Sequence, residues 1–189
     1  MREEFLGERK RALEEEFFKR RETAALEQLR AELGKRAARA ALAEVSGVTD
    51  EALLDRLLDL GISAGTAAPL SLVPLVEVAW ADGKVDPAEK AAILSAAKDA
   101  GLAETSAGYS LLESWLDERP ALQLRDLWID YTRRVCGALR AVDRDALKAQ
   151  LLGRARQVAK AAGGFLGLGS KVSKTEEAVL QELARAFSD

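Results

Sequence analysis

The tetrapeptide Asp86-Pro87-Ala88-Glu89 constrains the fold more than any other stretch of this chain. It supplies an N-cap acceptor, then a proline whose missing N–H costs nothing at the first helical position. A glutamate at the third position can reach back to the cap amide. An apolar-rich stretch, Ala91–Ala100, follows, and Gly101 offers the stop. The same logic returns later, where Ser173 and Glu176 start a run reaching Phe187. Lys84–Leu94 and Lys171–Leu180 both read Lys-Val, a capping residue, two variable positions, Glu and an apolar-rich helix. Each follows a helical stretch, Pro74–Trp80 in the first case and Leu147–Ala162 in the second. A helical hairpin used twice is the simplest reading, with chance likeness of two short strings as the alternative.

The remaining sequence also favours helix. Thr49 and Asp50 open a helix that carries Leu53, Leu54, Leu57 and Leu58 and stops at Gly61. A helix is expected over about 70–80, with Pro74 in or near its first turn. Leu111–Leu116 reads as a short helix. Pro120 is expected to open the next one, with Leu122, Leu127, Trp128, Tyr131, Val135 and Leu139 inward. Asp143 is expected to cap a basic helix reaching Ala162. No run alternates with the period of a strand. The fold expected is all-α: a bundle of paired helices over 46–189, preceded by a charged helical arm over 1–45.

The arm is built from Glu, Lys, Arg, Ala and Leu, all strong helix formers. Glu15–Lys19, Glu16–Arg20 and Glu32–Arg36 stand four apart in the favourable order. Leu26, Leu29, Leu33, Ala37 and Ala40 repeat at helical spacing, and the stripe thins before Ala24; Gly34 is a candidate break. A helix this polar needs a partner to hold it, or it frays. Whether the arm folds back or dimerises is left open by the sequence.

Composition excludes several chemistries. The chain has no histidine and one cysteine, so it has no Ser-His-Asp triad, no Cys-His pair and no internal disulfide. A net charge of −3 argues against general nucleic-acid binding. Charge is nevertheless uneven: residues 46–112 carry 10 acidic and 4 basic side chains, whereas 131–162 carry 8 basic and 2 acidic. The longest uncharged run, Leu60–Val76, has 17 residues and contains two glycines and two prolines, short of the ~20 apolar residues of a span. It reads as a buried loop-helix. With no apolar leader at the N-terminus, the expected location is cytoplasmic.

Val78–Leu94, VAWADGKVDPAEKAAIL, resembles the signature of TerB-like domains, named from tellurite-resistance operons. The matching positions are Ala81, Asp82, Gly83, Val85, Asp86 and Glu89. Gly163–Phe187 is similar to a looser second pass that lacks Asp-Gly and inserts a glycine-rich loop. The resemblance implies a bundle of paired helices and adaptor roles in stress-response complexes that link membrane and cytosolic partners. It implies no catalytic activity. More weakly, Glu8–Phe18 resembles small helical regulatory subunits that insert a charged helix into a rotary ATPase.

Two sets of residues are candidates for function. Asp82, Asp86 and Glu89 imitate half of a calcium loop, but the positions that would complete it fall on Val78 and Trp80, which offer no side-chain oxygen. A tight calcium loop is thereby excluded. What remains is a partner contact, or a weak divalent-cation site completed by outside carboxylates. Locally, Asp86 and Glu89 are accounted for by a capping box and Gly83 by a positive-φ turn, which leaves Asp82 as the residue freest to touch a partner. Arg144, Lys148, Arg154, Arg156 and Lys160 form the second set, a solvated basic face or a docking face for acidic protein or anionic lipid. The loop Gly163–Ser170 lacks the order of a Walker loop and reads as a connector with Phe165, Leu166 and Leu168 packed down. Trp80, Trp115 and Trp128 read as core anchors and Cys136 as a small core residue. The expectation is a non-enzymatic interaction module with a protein partner and no resident cofactor; a divalent-cation sensor is the alternative.

Overall fold

The structure, a computed structural model, describes residues 2–163 and 172–188, with side chains over 16–160 apart from Phe18 and over 172–188. The chain divides into two units, Met1–Ala40 and Ala41–Asp189. Among the described residues all regular structure is helical. The elements are α1 (Arg2–Ser46), α2 (Glu51–Asp59), a 3-10 segment (Ala68–Leu72), α3 (Val73–Ala79) and α4 (Pro87–Asp99). They continue with α5 (Ala107–Asp117), α6 (Gln123–Gly137), α7 (Ala141–Gly163), α8 (Lys174–Ala184) and a closing 3-10 turn (Arg185–Phe187).

The first unit consists of most of α1. The helix passes through Gly34 without a break, contrary to the expectation at that residue. A single glycine costs about 1 kcal/mol in a helix interior, and strong helix formers on both sides outweigh it. Arg20 pairs with Glu16 as the spacing predicts, and the Arg21 guanidinium lies 5.7 Å from the centre of the Phe17 ring. Leu26, Leu29 and Leu33 are each about half exposed.

In the second unit the start signals at Asp50, Asp86 and Ser173 act as read. Asp50 caps α2, its carboxylate accepting from the Leu53 amide at 2.9 Å. Capping boxes open both α4 and α8, at Asp86/Glu89 and Ser173/Glu176. The run over 70–80 is divided: Pro69 starts a 3-10 segment and Pro74 stands at the start of α3. Proline supplies no amide to an i→i−4 bond, so two close prolines favour two short pieces over one long helix. The helix expected from Pro120 begins instead at Gln123. Ala121 O accepts from Leu124 N in a turn ahead of it, and Leu122, at the N-cap, is 72% exposed. Leu139 lies past the end of α6 and is also exposed, so neither leucine is inward as expected. Asp143 is not the cap of α7; it falls in the first turn, where it pairs with Arg140 at 2.7 Å and suits the helix dipole.

All seven residues of α3 are buried. A helix apolar on every side must be surrounded, and α3 packs against α4, α6, α7 and α8. The hairpin α3–α4 therefore lies against the hairpin α7–α8. Trp128 of α6 meets Phe187 edge-on, with ring centres 6.1 Å apart. Trp115 and Trp128 are core residues, while Trp80 is half-buried and donates its indole N–H to Trp115 O at 2.8 Å. Gly108 lets α5 come close to Pro69, because a Cβ there would sit 3.1 Å from the proline Cδ.

One member of α3 is charged. Glu77 is 6% exposed, and Arg125 of α6 donates to it from Nε at 2.7 Å. The same guanidinium donates from Nη1 to Glu182 of α8 at 2.9 Å. Burial works against the Arg125 charge, but the two carboxylates outweigh it and hold the guanidinium above its ordinary value. Removing one partner of such a buried group strands the other. Arg125→Leu should therefore cost about 3–5 kcal/mol in urea unfolding, and Glu77→Leu/Arg125→Leu should restore most of it. Equal loss in the single and double variants would contradict the pairing.

Candidate functional site

The acidic turn between α3 and α4 is built almost wholly from short-range bonds. Gly83, at φ +93°, turns the chain. Asp82 accepts from the Lys84 amide at 3.2 Å, so it too has a local role, although its side chain is exposed. Asp86 accepts from the Ala88 amide at 2.8 Å, and Glu89 Oε2 accepts from the Asp86 amide at 2.9 Å. Glu89 is buried, and its pKa rises to about 7. Burial is the main cause; Asp82, Glu176 and Asp86 add repulsion, against which the Asp86 amide pulls it down. Glu176 belongs to the second capping box. The glutamates of the two similar segments are thus near enough to act on one another.

Asp82, Asp86 and Glu89 share this turn but do not converge as ligands. Among the described residues no group of three or more carboxylate, cysteine or histidine side chains is arranged to hold a metal ion.

The five basic residues of α7 are spread over different surroundings. Arg144 lines a cavity of about 450 Å³ with Arg133, Cys136, Arg185 and Phe187. Arg154 lines another, beside Leu75, Ala92, Ala96 and Asp99. Arg156 pairs with Glu177 of α8 at 3.0 Å. Lys160 is exposed and Lys148 half-buried. Cys136 is a buried core residue whose thiol is pushed up by burial, with the Arg144 charge pulling the other way, so it is a poor nucleophile.

Two features went unread in the sequence. An apolar cleft of about 440 Å³ is lined by Val45, Leu70, Trp128, Tyr131, Leu147 and Leu151, among others. Burial raises the Tyr131 phenol above its ordinary value. Its walls come from four separated stretches of chain, which no local motif announces. The Glu77–Arg125–Glu182 network did leave a signal: a lone carboxylate follows the long uncharged run and sits inside an apolar helix, which demands a buried cation. The glycine-rich connector expected at Gly163–Ser170 falls, beyond Gly163, outside the described residues.

No helix among the described residues is long and apolar enough to cross a membrane. Comparison with protein-family models, curated proteins and solved structures finds no match to this chain.

The Glu89 shift has a consequence for stability. Between its ordinary value of 4.5 and about 7 the folded chain binds more protons at this carboxyl than the unfolded chain. Its contribution to stability is therefore present at acid pH and is lost as pH rises through about 7. Glu89→Gln keeps an oxygen for the Asp86 amide without the charge. This variant should be more stable than the parent at pH 8 by roughly 1 kcal/mol and lose the advantage below pH 5. Urea unfolding across this range checks it; an advantage that grew toward acid would contradict the assignment.

Proposed function

We propose that this chain is a non-catalytic interaction module of the cytoplasm whose N-terminal helix docks a protein. The observation that carries the reading is the half-exposed stripe Leu26, Leu29 and Leu33 on a helix that forms a unit of its own. A contiguous apolar stripe between charged flanks is the usual surface of a helix that buries itself against another. The TerB-like resemblance of Val78–Leu94 supports an adaptor role in a stress response to metal or envelope damage, and the charged stretch Glu8–Phe18 is compatible with a regulatory helix. Leu29→Lys tests the docking surface, since the residue lies outside the bundle. Protein crosslinked to the chain in cell extract should be lost in this variant while the urea midpoint of the bundle stays put. Unchanged crosslinking would overturn the reading.

A divalent-cation sensor is the second reading. It is favoured by the acidic crowding around Glu89, where a cation would relieve the repulsion from Asp82, Asp86 and Glu176. Calorimetric titration with calcium, magnesium and manganese decides it. Binding tighter than ~10 μM that vanishes in Asp82→Ala would support a sensor, and no heat of binding would reject it.

A further inference from the structure

We propose that the partner of the arm is a second copy of this chain, with the two α1 helices antiparallel and the seam centred near Leu29. The inference rests on the docking reading above and names its occupant. Leu26, Leu29, Leu33 and Ala40 follow the alternating three- and four-residue spacing of a two-helix seam, with position 36 taken by arginine. At about 100° per residue, Glu22 and Arg36 fall on the same stripe as the leucines, one at each end. All of these side chains are exposed in the single chain.

The charges choose the direction. In a parallel pair each residue meets its own counterpart, so Glu22 would face glutamate and Arg36 would face arginine inside the seam. In an antiparallel pair centred near Leu29, Glu22 of each copy comes beside Arg36 of its partner. Two-fold symmetry makes this contact twice, and a two-fold pair is closed and cannot grow into a fibre. The leucines then meet leucines in the middle. One cost accompanies the arrangement: Arg30 approaches the Arg30 of the other copy near the two-fold axis. That residue lies at the flank of the seam, where a long side chain can reach water. The seam is short, so the pair is reversible, and the dimer carries two bundles in one particle.

The test is sedimentation equilibrium of the full chain. The parent should show a reversible monomer–dimer equilibrium. E22R should weaken the dimer roughly tenfold, because two weak attractions become repulsions. E22R/R36E should restore it, which a merely misfolded variant would not do; in a parallel pair E22R would only exchange one like-charge contact for another and leave the dimer unweakened. R30A should tighten the dimer. A chain that is monomeric throughout, or a dimer indifferent to the charge swap, would overturn the proposal. If a monomeric chain still crosslinks a different protein through Leu29, self-pairing fails while the docking reading stands; if neither occurs, both fail.

Discussion

At the centre of the bundle one buried carboxylate has to be satisfied. Glu77 sits on the helix that has no exposed face, and a charge there is tolerable only with a partner that also satisfies its oxygens. Arg125 is that partner, and its second carboxylate, Glu182, lies on a third helix. A guanidinium is planar and its donors diverge at fixed angles. Meeting both glutamates at once therefore fixes how α6 and α8 are rotated about α3. The apolar contacts, such as Trp128 against Phe187, supply most of the cohesion, but they are non-directional. The ion network adds the direction that apolar contacts lack.

Around that centre the two capping boxes do similar work at the starts of α4 and α8. Each satisfies backbone donors that no helix can satisfy internally. Their nearness has an electrostatic cost, seen at Glu89, whose proton is held to about pH 7 by burial and by Asp82, Glu176 and Asp86. The acidic turn is thus accounted for by folding first. Whatever it does toward a cation or partner is done with groups that already have structural roles, Asp82 included.

This division explains what the sequence made legible. Helix starts at Asp50, Asp86 and Ser173 were readable because a cap and its amide lie within three residues. The all-helical fold followed from such signals together with the periodicity. Leu122 and Leu139 fall short of the expected burial because both lie beyond the ends of α6, where its periodicity no longer applies. Gly34 is a candidate break on its own propensity, which its neighbours overrule. The partners of Arg125 stand 48 and 57 residues away, beyond any local pattern. Of the candidate site, the acidic turn was legible as a turn. Three of the basic residues of α7, Arg144, Arg154 and Arg156, face different neighbours, because those neighbours come from α4, α6 and α8.

If α3 and its ion network are the centre of the bundle, the amides of Val76–Ala79 can exchange with solvent only when the whole bundle opens. Native-state hydrogen exchange with residue resolution measures this directly. These amides should be the slowest in the chain, with an opening free energy equal to that of global unfolding. Exchange of α3 ahead of α2 or α5, by a partial opening that leaves the rest folded, would contradict it.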